Sequence, residues 1–207
     1  MATKPAGVQL RGTTQLVGVI GCPIEHSLSP PMHNAAFREL GMDWAYVALK
    51  VDPGNVADAF RGVVGLGLVG INCTIPHKQA AANAVDEIDD AAKALDSVNT
   101  IHNVDGVLRG YSTDGPGFVR SVEEAGTSLA GKAVTMIGSG GSCRAVAYSL
   151  VKAGVASLTL AARRPFKAQE VADMVTEHAG VRPGVVDLNT DDAREAVGAS
   201  DIIIDTT

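Results

Sequence analysis

Lys78 is the one basic residue between Arg61 and Lys93. It closes the run Gly70-Ile-Asn72-Cys73-Thr74-Ile75-Pro76-His77-Lys78, where a strand pattern gives way to a helix pattern. An ammonium in the first turn of a helix opposes the macrodipole, so its placement asks for a reason beyond solvation. Asp114 follows Tyr111-Ser112-Thr113 and precedes Gly115-Pro116-Gly117; taken alone, it reads as a helix N-cap. Ser29 before Pro30 has the same plain reading, with proline at the first helical position. Ser27 adds a second hydroxyl beside that helix start, which makes a small carboxylate site. Ser97-Val98-Asn99-Thr100 brings an amide and another hydroxyl. An amine, a carboxylate, hydroxyls and an amide are groups that orient a small polar molecule and move its protons.

A second constellation is made of missing side chains. Ala133-Val-Thr-Met-Ile-Gly138-Ser139-Gly140-Gly141-Ser142-Cys143-Arg144 reads as strand, glycine turn, helix. Without a Cβ, backbone can approach a pyrophosphate closely, and the helix start offers free N–H donors. Cys143 replaces the third glycine of the usual fingerprint and is small enough for helix–strand packing. An NAD site wants an acidic residue about 20 positions on, yet no Asp or Glu occurs from Gly138 to Gln169. The next strand ends instead in Ala161-Ala162-Arg163-Arg164. A guanidinium there can pair with a 2′-phosphate, which predicts NADP over NAD.

The elements that must carry these groups alternate. Strands are expected over 15–21, 44–51, 68–73, 97–103, 107–111, 132–137, 157–162, 184–187 and 201–205, the fourth and fifth as a hairpin through Asp105-Gly106. Helices are expected over 30–40, 53–64, 76–84, 89–95, 114–125, 141–152, 165–178 and 191–197. From 132 onward the rhythm is that of a parallel, doubly wound sheet. Glycine and proline cluster near 111–117, so the expected division is an α/β substrate domain over 1–112 and a dinucleotide-binding domain over 113–207. The second half shows four strands where a full dinucleotide fold has about six. The last strand runs to Thr207 without a covering helix, so the chain reads as a fragment with that domain incomplete.

Composition narrows the partners. The chain has 207 residues, a formal charge of −6 and 4% aromatics, which disfavours nucleic acid. Three cysteines without CxxC spacing and five histidines without an HxxxH pair argue for no metal and for a reducing compartment, the cytoplasm. The apolar run 16–24, with Lys4 and Arg11 before it, reads as a buried strand and is too short to span a bilayer.

Five ordered motifs now resemble one family, the shikimate dehydrogenases: HSLSP (26–30), NCTIPHK (72–78), SVNT (97–100), STDGPGF (112–118) and GSGGSCR (138–144). The resemblance spans residues 15–207. It implies a substrate domain joined to an NADP-binding Rossmann domain, and reversible NADPH-dependent reduction of 3-dehydroshikimate to shikimate in aromatic amino-acid biosynthesis. It implies that Lys78 and Asp114 form the catalytic pair. Ser27 and Ser29 would hold the substrate carboxylate, and Thr74, Asn99 and Thr113 its oxygens. Gly138, Ser139, Gly140, Gly141, Ser142, Arg144, Arg163, Arg164 and Thr206 would hold NADP. The implied partner is a small molecule, with neither nucleic acid nor membrane, in a monomer or homodimer. Three departures stand out. Ala162-Arg163-Arg164 replaces the family's Asn-Arg-Thr, and Asp205-Thr206-Thr207 replaces its N-[AT]-T-S. The family's later helix, carrying a Gln and a Tyr that touch substrate, has no counterpart, so these 207 residues alone are expected to show little activity. Rival readings are a quinate/shikimate dehydrogenase using NAD(P), a non-catalytic binding relative of the same fold, and a generic dinucleotide oxidoreductase.

Overall fold

The computed structural model describes residues 10–207; Lys4 lies outside them. The chain divides into two compact units, the first ending at Tyr111 and the second running Ser112–Thr207.

The first unit is built on strand β1 (Gln15–Gly21), whose β-branched run buries Val19 and Ile20. Helix α1 (Ser29–Glu39) leads to β2 (Trp44–Lys50). A 3₁₀ turn (Pro53–Asn55) precedes α2 (Val56–Gly65), so the single helix expected over 53–64 begins as a tighter turn. Then follow β3 (Gly70–Cys73), α3 (Lys78–Ala82), β4 (Glu87–Ile88), α4 (Asp90–Leu95), β5 (Thr100–Val104) and β6 (Val107–Tyr111). The sheet order is β2-β1-β3-β5-β6-β4. β1 pairs in parallel with β2 and β3, while β3–β5 and β5–β6 are antiparallel. The β5–β6 turn uses Asp105 at φ 52° and Gly106 at φ 89°, the paired positive angles of a twist-matched hairpin. Strand β4 has only two residues, too few for a periodic signal, and sequence patterning missed it. Ile20, Phe60, Val63, Ile71, Val98 and Ile101 form the core of this unit.

The second unit contains α5 (Asp114–Glu124), β7 (Ala133–Ile137), α6 (Gly141–Lys152), β8 (Ser157–Ala162), α7 (Pro165–Ala179), β9 (Gly184–Asp187), α8 (Asp191–Gly198) and β10 (Ile202–Asp205). All strand pairs are parallel, in the order β10-β7-β8-β9. That is the dinucleotide-binding order, in which the fourth strand turns back beside the first. Ligands bind at that reversal, outside the carboxyl ends of the strands. Met136, Leu150, Leu160, Val171 and Val175 fill the core here.

Two cap readings are corrected. Ser29 is the first residue of α1, and Leu28 holds the cap position without a side-chain bond. The loop before it closes on itself instead: Ser27 N–H donates to Ile24 O (3.0 Å), and Ser27 Oγ accepts from Ser29 N–H (3.3 Å). Asp114 likewise sits inside α5, behind Thr113, whose φ of −103° and ψ of −7° are already helical.

Candidate active site

In the first unit, the ends of β1, β3 and the start of β5 carry most of the polar residues singled out above. Thr74 N–H donates to Ile20 O (3.0 Å), Cys73 N–H to Asn99 O (2.9 Å), and His77 N–H to Thr74 O (2.8 Å). These bonds turn the chain after β3 so that Lys78 becomes the first residue of α3. Lys78 is half-buried, and its carbonyl accepts from Val98 N–H (2.9 Å), tying α3 to the Asn99 segment. Its charge draws the Cys73 thiol pKa down, but burial outweighs this and pushes that thiol up to about 12.

His77 is buried at 1% exposure. Its Nε2 lies 2.7 Å from Val51 O, and because a carbonyl only accepts, that nitrogen carries the hydrogen. Tyr46 is the other residue that patterning did not single out. Its hydroxyl donates to Asn72 Oδ1 (2.6 Å). Burial pushes this phenol up to about 12, with the Ser29 contact pulling the other way. A hydroxyl at a core-facing strand position was the available signal, and an apolar neighbourhood masked it. Asn72 Nδ2 donates to Asn99 O (3.2 Å) and Thr100 Oγ1 (3.0 Å), and Thr100 Oγ1 donates to Asn99 Oδ1 (3.2 Å). Tyr46, Asn72, Thr100 and Asn99 therefore belong to one hydrogen-bonded set, while Ser27 accepts the Ser29 amide.

Asp114 opens α5 in the second unit, half-buried, after exposed Thr113. Gly115 explains how it is held: a Cβ there would run into Ser149 Oγ and Ala145 O, so only glycine lets α5 lie this close to α6. The TDG element is thus a packing device as well as a carrier of a carboxylate.

The glycine turn lies at the switch point between β7 and β10. Gly138 has φ 127°, a conformation side chains avoid, and a Cβ would meet Thr206 Oγ1. Thr206 is fixed in turn by two bonds to Ile137 O, from its N–H (2.8 Å) and its hydroxyl (2.9 Å). Cys143 is fully buried, and its thiol donates to Gly138 O (3.3 Å), locking helix to turn. Burial pushes that thiol up to about 11, against the Thr206 hydrogen bond and the Arg144 charge.

A cavity of about 230 Å³ brings together Gly138, Ser139, Gly140, Arg163, Arg164 and Thr206. Gly141, Ser142 and Arg144 lie on the first turn of α6 beside it. A Cβ on Gly140 or Gly141 would meet nothing within 4 Å, so the protein's own packing does not demand glycine there. Both arginines are exposed, neither forms an ion pair with a described residue, and no acidic side chain lines the cavity. This donor set fits an anionic dinucleotide carrying an extra phosphate. Among the described residues no group of His, Cys, Asp and Glu could hold a metal ion. No helix among them is long and apolar enough to cross a membrane.

Fold and turn together define a two-unit α/β protein with a dinucleotide-type second unit. A family model described as the shikimate dehydrogenase substrate binding domain matches residues 19–101, and one described as shikimate / quinate 5-dehydrogenase matches residues 120–207. An NADP(+) shikimate dehydrogenase of Moorella thermoacetica is 44% identical over 200 residues, covering 97% of this chain and 68% of that protein. The crystal structure of shikimate 5-dehydrogenase from Listeria monocytogenes, with shikimate and NAD, superposes with a TM-score of 0.91 at 32% identity, over 99% of this chain and 72% of that one. A shikimate dehydrogenase solved with NADP+ gives 0.89 at 38% identity, over 99% and 70%. The chain belongs to the shikimate dehydrogenase family.

Proposed function

We propose that this chain is an NADP-dependent shikimate dehydrogenase, reducing 3-dehydroshikimate to shikimate reversibly in aromatic amino-acid biosynthesis. The observation that carries the cofactor choice is the acid-free cavity beside Gly138 with Arg163 and Arg164 at its rim. When bound, NADPH supplies the hydride. The chain's own residues do the rest. Amides of the glycine turn and of the first turn of α6 hold the diphosphate, and the two guanidinium groups hold the 2′-phosphate. Ser27 and Ser29 hold the substrate carboxylate; Thr74, Asn99 and Thr113 bind its oxygens. As negative charge grows on the ketone oxygen, Lys78 stabilises it and gives up a proton. Asp114 is the acid of that catalytic pair.

The substrate is a small molecule. The enzyme works in the cytoplasm, where its three free cysteines stay reduced, as a monomer or homodimer. Turnover of 3-dehydroshikimate, followed by NADPH absorbance with purified full-length protein, tests the reading, and quinate with NAD is the rival pair. Lys78→Ala is expected to cut turnover about 10²–10⁴-fold, the usual scale of acid–base help. An unchanged turnover number would remove Lys78 from the chemistry. Ligand binding without any turnover in the full-length parent protein would favour a binding relative.

A further inference from the structure

The proposed function uses Asn99 but gives no role to Tyr46, Asn72 and Thr100, which lead to it. Tyr46 sits on β2 at 4% exposure. Its backbone is clamped to α1 from both sides: Asn34 Nδ2 donates to Tyr46 O (2.8 Å), and Tyr46 N–H donates to Asn34 Oδ1 (2.9 Å). The His33 ring stacks on the Tyr46 ring at 4.3 Å and 6°. Strand, helix and ring stack thus hold the phenol oxygen in one place.

Donor and acceptor roles then follow in order. Asn72 Oδ1 can only accept, so the 2.6 Å contact consumes the phenol hydrogen. With Oδ1 occupied, the Asn72 amide cannot flip, and its two N–H groups point to Asn99 O and Thr100 Oγ1. Thr100 passes its hydrogen to Asn99 Oδ1. The whole row has one direction, and it settles which end of the Asn99 amide accepts from the protein.

We infer that Tyr46 is a positioning residue that sets the ring-hydroxyl end of the substrate cradle, at Asn99, through Asn72 and Thr100. This rests on the proposed function. Removing only the phenol oxygen leaves half-buried Asn72 Oδ1 without its donor and frees the amide to turn. The Asn99 end of the cradle then loses its setting, although Tyr46 itself touches neither the reacting atoms nor the cofactor cavity.

The test is Tyr46→Phe, which keeps the ring stack, combined with Asn99→Ala in a double-mutant cycle. Tyr46→Phe is expected to raise the shikimate KM about tenfold, with the NADP KM unchanged and kcat reduced less than KM is raised. In the double variant the shikimate KM is expected to stay close to that of Asn99→Ala alone, because the coupled end is already gone. Multiplying effects of the two substitutions would overturn the coupling. So would a lowered Tm with an unmoved shikimate KM, which is the mark of a purely structural tyrosine. Absence of turnover in the full-length parent protein would defeat the proposed function instead. In that event shikimate titration calorimetry on the same four proteins reads the coupling, and additive losses of affinity overturn it.

Discussion

In the first unit the polar groups of the candidate site are tied to one another, Tyr46 to Asn72 at 2.6 Å and Asn72 to Thr100 at 3.0 Å. In the second the cradle is shaped by what is left out, since a Cβ on Gly140 or Gly141 would touch nothing. A polyol ring offers many hydrogen-bonding atoms in fixed directions, so its site profits from side chains whose donors and acceptors are set beforehand. A diphosphate is a diffuse anion, and backbone amides at a helix start suffice once the chain can come close. The lesson is that the two cradles have different weak points: loss of one hydroxyl in the first, gain of one carbon in the second.

The contrast can be broken at several levels. The largest effect is expected from the core that carries the first cradle. Ile101 is 1% exposed between β3 and β6, and Ile101→Ala is expected to cost about 2–5 kcal/mol by denaturant titration. A cost under 1 kcal/mol would mean that the Asn99 strand is not anchored through its apolar neighbour. Next comes the cofactor cradle. Replacing Arg163 and Arg164 by alanine is expected to lower the preference for NADP over NAD about 10–100-fold, the scale of a lost charged hydrogen bond or two, with the shikimate KM unmoved. Equal losses for both cofactors would place the arginines elsewhere than at the 2′-phosphate.

A smaller effect sharpens the comparison through pH. Burial raises Cys73 from 9.0 to about 12 and Tyr46 from 10.0 to about 12 in the first unit, and Cys143 from 9.0 to about 11 in the second. Above about pH 9 the unfolded chain sheds protons that the folded chain keeps, so stability is full below that pH and falls as pH rises toward 11–12. Two of the three groups lie in the first unit, which should be the more alkali-sensitive; chemical denaturation across this range, with Trp44 in β2 reporting the first unit, checks it. Smallest is the reactivity of the native thiols. Half-exposed Cys22 should alkylate first at neutral pH, with buried Cys73 and Cys143 following only on unfolding. Early labelling of Cys143 would show the glycine turn opening locally.

Much of the fold could be read before any coordinates. The apolar runs at 15–21 and 157–162 became β1 and β8 with those ends, and Asp105-Gly106 became the hairpin turn. The glycine turn was readable because a strand, two glycines and a helix start follow one another along the chain. Caps were not. Whether Ser29 or Leu28, or Asp114 or Thr113, takes the cap position depends on the backbone angles of one residue, and those answer to the turn before it. The two-residue β4 was invisible for want of a period.

Residue order by itself determined the α/β alternation and the parallel second sheet, which rest on local patterns of apolar and glycine residues, and five ordered motifs carried the resemblance to the family. Only the tertiary structure decided that Tyr46, Asn72 and Thr100 form one directed row. Residues 26 and 28 positions apart meet there because β2, β1, β3 and β5 lie side by side. Hydrogen-bond direction is a property of atoms brought within 3 Å or so of each other, and no spacing along a chain encodes it.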